Sequence, residues 1–453
     1  MANQIVAAST NPKRYQSWGR YPKAQDSEVE PIYWRDELPD LAVFDKTVLP
    51  FGYGRSYGDS CLNNGGILLD TSTLRRFIAF DQDTGLLSCE AGVSLADILE
   101  VVVPRGWFLP VTPGTKFVSI AGAIANDVHG KNHHSAGTFG RYVTQFELLR
   151  SDGTRLICSP TQNIEMFRAT IGGLGLTGLI LWAEIQLKKI ESPFIAMESI
   201  RYGSLDEFWR LDEESNGKFY YTVSWIDCFT SGSHMGRGRY IRGNHATAEQ
   251  AAGHRGHEKL KLRVPFDVPS FFWNPLTVRV LSEGYFRVQL PRVVSGLEYY
   301  EPFFYPLDGI LDWNRGYGKA GFLQYQFVVP GNDNYRDVKE LLAEIRKAGI
   351  SSFVNVFKRF GDIKSPGMLS FPRPGVTLAL DFAFKGESTL KFLDHLDSIV
   401  RQYGGAVYPA KDARMSAENF QAFFPNWREF EKYIDPKFSS SFWRRVTCTG
   451  KDT

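Results

Sequence analysis

The stretch Pro50-Phe51-Gly52-Tyr53-Gly54-Arg55-Ser56-Tyr57-Gly58-Asp59-Ser60 decides how the chain is read. Three glycines close together leave a backbone with few Cβ atoms, which can turn tightly and point successive N–H groups at one spot. Such a concavity binds anions, phosphate above all; Ser56 adds a hydroxyl donor and Arg55 a cation. The spacing is G-x-G-x-x-x-G, and its context is not that of a dinucleotide-binding turn. Thr47-Val48-Leu49 leads in, Asn63-Asn64-Gly65-Gly66 leads out, and Ile67-Leu68-Leu69-Asp70 reads as a second strand, with no helix for a pyrophosphate to cap. Taken alone, the loop reads equally as a phosphate cradle or an ordinary glycine-rich turn.

Two further stretches bear on that choice. Pro113-Gly114-Thr115 and the run Ser119-Ile120-Ala121-Gly122-Ala123-Ile124-Ala125-Asn126-Asp127-Val128-His129-Gly130-Lys131-Asn132-His133-His134 are rich in small residues and end in a histidine-rich turn. Gly172-Gly173-Leu174-Gly175-Leu176-Thr177-Gly178-Leu179-Ile180 is similar. Small residues let a planar ring approach the backbone closely. Together the three stretches resemble the FAD-binding domain of the vanillyl-alcohol-oxidase type flavoproteins. GRSYGD with HGKNHHSAG most resembles the branch of that family that oxidises a polyprenylphosphoryl-ribose.

The resemblance implies a cofactor and a fold. FAD would be held by Gly52, Tyr53, Gly54, Arg55, Ser56, Tyr57, Gly58 and Asp59 at its pyrophosphate. Gly114, Ser119, Ile120, Ala121, Gly122, Asn126 and His129 would lie beside its ring, and Gly178, Ile180 and Tyr408 would complete the site. Asp59 stands where many relatives carry a histidine bonded to the flavin. A carboxylate cannot make that link, so non-covalent FAD is expected. The expected fold is α+β: a two-lobed PCMH-type FAD-binding domain with an inserted α/β substrate domain, built on an antiparallel sheet with helices on one face. Residues 1–191 would begin the flavin domain, 192–405 form the substrate domain, and 406–453 return to the flavin domain.

Composition sets the outer bounds. A chain of 453 residues suggests two or three domains. A hydrophobic content of 43% and an aromatic content of 14% fit a packed globular protein. A net charge of +2 makes no case for nucleic acid. The five cysteines, Cys61, Cys89, Cys158, Cys228 and Cys448, are scattered, with no C-x-x-C pair, which suggests reduced thiols in a cytoplasmic protein. The first residues lack a basic start and a long apolar core, and no run approaches the ~18 apolar residues of a membrane span, so membrane contact would be peripheral.

Along the chain, strand patterns at 77–80 and 86–90 flank a hairpin turn, and Ser94 caps a short amphipathic helix with Asp97 three residues on. Strands are expected at 143–149 and 155–157. Helices are expected at 337–348 and 388–403, each between strands: 322–329 and 352–357 for the first, 376–382 and 406–408 for the second. Residues 231–263 are glycine-rich and basic and read as a mobile insertion. The aromatic segment 264–273 follows. Basic plus exposed aromatic residues suit a membrane interface, but no amphipathic helix is evident, so a surface loop and a strand that buries its aromatics stays the alternative. His254-x-x-His257 lies in this stretch with only Glu258 nearby, and no metal is expected.

Oxidising a secondary alcohol requires hydride transfer to the flavin and a group to take the hydroxyl proton. Lys411 matches the family's essential lysine; residue type alone would make it a solvated surface group. It would stabilise a developing anion or act as base. His129 and Tyr57 are the other groups expected near the ring, His129 reading equally as a structural histidine at the Gly130 turn. The resemblance places Trp225, Gln324, Gln326, Lys358, Phe360, Thr377 and Ala379 with Lys411 in the substrate pocket. Alternation puts Gln324 with Gln326, and Lys358 with Phe360, on common strand faces. Ala379 stands where mycobacterial-type enzymes carry a cysteine, which widens that wall. The expected reaction is oxidation of a polyprenylphosphoryl-ribose to its 2′-keto form, with an NADH-dependent keto-sugar reductase as partner. A soluble sugar or aldonolactone oxidase, and a non-catalytic flavin-binding subunit, remain the alternatives.

Overall fold

The computed structural model describes residues 15–256, 262–349 and 353–447. Strands β1 (Glu28–Pro31), β2 (Val48–Phe51) and β3 (Ile67–Asp70) form a parallel sheet in the order β1-β3-β2. The glycine loop therefore leaves the C-terminal end of β2 and must travel back before β3 begins. A second sheet is antiparallel, in the order β4-β5-β8-β6-β7: β4 (Phe77–Phe80), β5 (Leu86–Glu90), β6 (Val143–Leu149), β7 (Arg155–Cys158) and β8 (Leu179–Gln186). Helix α1 (Leu95–Val102) carries the expected capping box: the Ser94 hydroxyl accepts from Asp97 N while the Asp97 carboxylate accepts from Ser94 N.

The end of the chain returns to this part. Val48 N donates to Lys437 O (2.8 Å), Ser439 N to Val48 O (3.1 Å) and Ser441 N to Leu62 O (2.8 Å). The Asp435 carboxylate accepts from Ser151 N at 2.8 Å and pairs with Arg150 at 3.2 Å.

An eight-stranded antiparallel sheet dominates the rest. Its strands are β9 (Phe194–Tyr202), β10 (Tyr221–Ile226), β11 (Gly238–His245), β12 (Val293–Tyr299), β13 (Phe322–Val329), β14 (Asn355–Phe360), β15 (Gly375–Ala383) and β16 (Ala406–Val407). The order is β12-β9-β11-β10-β14-β15-β13-β16. The register puts successive residues on opposite faces. Tyr325, Phe327, Phe357, Leu378 and Leu380 pack into one core with the apolar faces of helices α2 (Leu205–Ser215), α4 (Asn332–Ala348) and α5 (Glu387–Gln402).

The middle of the chain departs from expectation. Gly238–His245 is no mobile insertion but an interior strand, paired along its length with β9 and across six residues with β10. Its glycines permit close packing: a Cβ at Gly238 would lie 2.1 Å from Trp225 O. Residues 257–261 lie outside the described residues, so His257 and Glu258 do too, while His254 packs edge-on to Phe194. The aromatic segment is not a strand that buries its rings: Phe266 and Phe271 are exposed, and a helix, α3 (Pro275–Val288), follows it. The periodicity of α3 is masked by an apolar stripe on its solvent side. Ser352 and Cys448 also lie outside the described residues.

Candidate active site

The three small-residue stretches converge. A Cβ at Gly52 would lie 2.7 Å from Ser119 Oγ, so the first touches the second. The third touches the second where Gly172 N donates to Ile124 O and Leu174 N to Ala125 O, and the first where Gly175 approaches the Pro50 ring. Ser119 caps the short helix Ile120–Ala125, accepting from Gly122 N at 3.1 Å; Ile120 is buried and Ala121 half-buried. Asn126 Nδ2 donates to Gly122 O, and Asn126 O accepts from Tyr408 Oη at 2.8 Å. Gly114 has open space where a Cβ would stand. Gly178 immediately precedes β8, against Leu149 O, and Ile180 within β8 pairs with Leu148.

The glycine loop is clamped to the segment carrying Lys411. Tyr57 N donates to Ala410 O (3.0 Å), and a Cβ at Gly58 would meet Asp412 O at 1.7 Å, so only glycine fits. Arg445 forks onto Asp59 (2.7 and 2.9 Å) and also reaches Asp412 at 2.9 Å. Asp59 is thus held in an ion pair with Arg445 of the helix Ser441–Thr447. Tyr53 Oη donates to Gly92 O, Gly54 adopts φ +60° beneath Gln16 O, and Ser56 O accepts from Trp18 N. The Arg55 guanidinium lies 4.2 Å from the Trp18 ring, and its Nε is buried with no partner. Burial lowers its pKa.

The sheet register brings the remaining expected residues onto one face. Gln326 faces Ala379, Ala379 faces Val356, and Lys358 faces Thr377. Gln324 and Phe360 follow by alternation, and the single β10–β14 pair, Ser224 with Phe357, puts Trp225 on this same face. Trp225 Nε1 donates to Phe353 O, and its ring meets Tyr285 of α3 at 4.9 Å. Tyr408 N donates to Gln326 O, extending the row.

One network fixes His129. Thr377 Oγ1 donates to Phe327 O (2.7 Å), so it accepts from Gln326 Nε2 (3.0 Å), which orients the amide NH₂ toward His129 Nε2, also 3.0 Å away. His129 Nε2 is then the acceptor and Nδ1 carries the proton, buried and without a partner. Phe360 and Tyr408 flank the ring. Burial, then the charges of Lys358 and Lys411, push the His129 pKa well below its usual range, so it is neutral. Lys358 Nζ donates to Gly130 O at 2.7 Å; burial, with Lys411 and Lys131 nearby, brings it down to about 7. Lys411 lies with Nζ 5.5 Å from the Tyr57 ring centroid; burial lowers its pKa, and the Asp381 carboxylate partly restores it. Burial holds the Tyr57 hydroxyl well above its ordinary pKa, so it stays protonated.

The fit to FAD rests on these features: a glycine loop with a buried guanidinium Nε that has no partner, an open surface at Gly114, and the unpartnered Nδ1–H of His129. A model of the FAD binding domain family matches residues 40–159. Over 454 aligned residues the chain is 36% identical to decaprenylphosphoryl-β-D-ribose oxidase of Mycolicibacterium smegmatis, covering 96% of this chain and 98% of that one. The chain belongs to the decaprenylphosphoryl-β-D-ribose oxidase family. It is also 31% identical over 372 residues to an uncharacterized protein in the mprA 5′ region of Streptomyces coelicolor, spanning 78% of this chain and 100% of the other. D-arabinono-1,4-lactone oxidase of Yarrowia lipolytica is 24% identical across 48% of this chain and 43% of its own. As a member of the decaprenylphosphoryl-β-D-ribose oxidase family, the chain is an FAD-dependent oxidoreductase.

Sequence reasoning missed several groups. Asp381 continues the alternation Thr377, Ala379, and accepts from Gln324 Nε2 at 2.5 Å; the period of two was enough to find it. Burial raises its pKa. Tyr317 stacks on Phe322, whose ring meets Tyr57 edge-on. His133 is buried 4.5 Å from the Phe360 ring with neither nitrogen partnered. Arg445 reaches Asp59 across 386 residues, a pairing no local pattern signals.

Proposed function

We propose that the chain oxidises a polyprenylphosphoryl-β-D-ribose to its 2′-keto form, the first half of an epimerisation to the arabinose donor. The observation that carries this reading is the face of the eight-stranded sheet, where buried Lys358, two glutamines, a threonine and a tryptophan stand together, with half-buried Lys411 in the turn after β16 beside the glycine loop. FAD, bound non-covalently by the loop at 52–59 and the segment from Gly114 to His129, supplies the hydride acceptor.

The chain's own residues position the sugar and move its proton. Lys411 Nζ takes the 2′-hydroxyl proton, because burial lowers its pKa from the ordinary lysine value toward that of a general base. His129, committed through Nε2 to Gln326, offers its Nδ1–H as a donor. Lys358 answers the phosphate, gaining charge as the anion arrives. Gln324, Gln326 and Thr377 contact the sugar hydroxyls, Trp225 and Phe360 bound the ring, and Ala379 gives the wall its width. Tyr57 stays a neutral donor beside Lys411.

The same reading divides the chain into a flavin domain at 1–191 with its return at 406–453, and a substrate domain at 192–405. A separate NADH-dependent keto-sugar reductase completes the epimerisation, and the chain works as a cytoplasmic protein that meets the inner membrane surface peripherally. Among the described residues no helix is long and apolar enough to cross a membrane. The test is turnover of a short-chain polyprenylphosphoryl-β-D-ribose by wild type and Lys411→Ala. Loss of turnover with FAD retained is expected. Equal turnover by the variant overturns the role of Lys411, and an inert wild type with FAD bound overturns the enzyme reading.

A further inference from the structure

Residues 262–294 hold ten of the seventeen exposed large apolar side chains among the described residues. Such crowding is not the ordinary scatter of surface hydrophobes. Helix α3 organises it. Asn274 caps the helix by accepting from Leu276 N and Thr277 N. Its inner face buries Val278 and sets Tyr285 against Trp225. Its outer face carries Leu276, 72% exposed, Val280, Gly284 and Val288 at successive intervals of four, a continuous stripe. Phe271, 79% exposed, precedes the stripe, and Leu290, 82% exposed, leads from it to Val293 and Val294 on the edge strand β12.

Cations border the stripe. Beside Leu290 opens a cavity of 720 Å³ lined by Arg201, Arg237, Arg287 and Arg292, with Glu207 its one acidic lining residue. Arg237 is paired with Asp227 and Glu283, Arg287 with Glu283, and Arg292 with Glu207. Arg201 donates to a carbonyl, Gln289 O, and neither it nor the exposed Arg279 has a carboxylate within ion-pair distance among the described residues. An apolar stripe with arginines along its border is what an interfacial helix presents to a bilayer with negative headgroups.

The surface adjoins the site at two points. Tyr285 touches Trp225 from inside α3. Trp273, just before the helix, stacks on Tyr317 (4.6 Å), which stacks on Phe322 (4.4 Å), whose ring meets Tyr57. The exposed surface is therefore joined to the site by direct side-chain contact.

We propose that α3, with the residues from Phe266 to Val294 around it, docks the protein on an anionic phospholipid bilayer, headgroup phosphates meeting the arginine-lined cavity beside Leu290. The proposal deepens the functional reading, since a polyprenyl-linked substrate resides in a bilayer, but binding is measured without substrate, so the two fail separately.

The experiment floats the FAD-loaded protein with vesicles of phosphatidylcholine, with and without roughly a third phosphatidylglycerol, and repeats it with Leu276→Ser/Val280→Ser/Leu290→Ser and with Arg279→Glu/Arg287→Glu. These side chains are exposed, so melting temperature and flavin absorbance should match wild type. Wild type is expected to float with the anionic vesicles. The serine variant should lose at least about tenfold in partitioning, since three apolar side chains no longer leave water. The glutamate variant should lose the preference for phosphatidylglycerol. The proposal is overturned if wild type stays in the soluble fraction at low salt, if the serine variant floats as well as wild type, or if the serine substitutions instead abolish a dimer seen by size exclusion. Reduction of the flavin by a short-chain substrate in the absence of vesicles reports on the functional reading alone.

Discussion

The two faces of the eight-stranded sheet are built by the same strands and are both largely buried, yet they differ in how their polar groups end. On the helix side Phe327, Phe357 and Leu378 fill a core, and apart from Trp209 Nε1 and Asn355 Oδ1 its buried polar groups are paired. Tyr325 Oη donates to Asp397 at 2.9 Å, and Arg414 closes the set on Asp397 and Asp394 at 2.6 Å each. On the other side Gln326 Oε1, His129 Nδ1 and both nitrogens of His133 are buried without partners, and two lysines are desolvated. Folding alone would not select such a face, because unsatisfied buried groups cost stability. The difference marks where a ligand completes the structure.

Substitutions can break or sharpen that contrast. Lys411→Met should lower kcat about a thousandfold while leaving the melting temperature at or above wild type, because a buried cation is replaced by a methionine of similar length. Steady-state kinetics with calorimetry decides it; a large drop in melting temperature would make Lys411 structural. Phe327→Ala, across the sheet, should do the opposite, costing ~3 kcal/mol or more in chemical denaturation by leaving a cavity, with kcat/KM of the folded fraction little changed. Gln326→Leu removes the amide that orients His129; it should reduce kcat about thirtyfold, on the order of 2 kcal/mol. Unchanged kcat would show that the tautomer carries no function.

Lys358 supplies the smallest and most diagnostic effect. Its folded pKa, about 7, lies below the usual lysine value of 10.5, so between those values the unfolded chain binds more protons than the folded one. Its burial therefore costs stability, fully so below about pH 7, and the cost fades as pH rises toward 10.5. Lys358→Met should raise stability most at or below neutral pH. In the wild type, the affinity for a phosphate-bearing sugar analogue should fall above about pH 7, by up to roughly tenfold per unit, and the variant should lose that dependence. Calorimetric titration across pH measures it, and a parallel slope in both proteins would contradict the assignment.

Much of this contrast was legible in the sequence. Period-two alternation placed Gln324 with Gln326 and Lys358 with Phe360 on shared faces, as the register shows, and the same rule, carried two residues beyond Ala379, would have reached the missed Asp381. The small-residue stretches announced that backbones approach closely; that Gly58 meets Asp412 O, and Gly52 meets Ser119, needed the fold. Arg445 was not legible because its partners, Asp59 and Asp412, are brought together only by the returning chain. The strand at Gly238–His245 was misread because glycine and arginine have weak strand preference; pairing on both sides overrides that preference. Helix α3 escaped notice because its apolar residues lie on both its inner and outer sides, so no single buried stripe stands out.

The measurement that tests the account most directly is the visible absorbance of the FAD-loaded protein under anaerobic conditions, titrated with a short-chain polyprenylphosphoryl-β-D-ribose and, separately, with free ribose. The account predicts that the flavin bands bleach with the phosphoryl-ribose and persist with free ribose, because Lys358 has no anion to answer. Equal bleaching by both would contradict the phosphate assignment, and bands that persist with both would contradict the proposed oxidation itself.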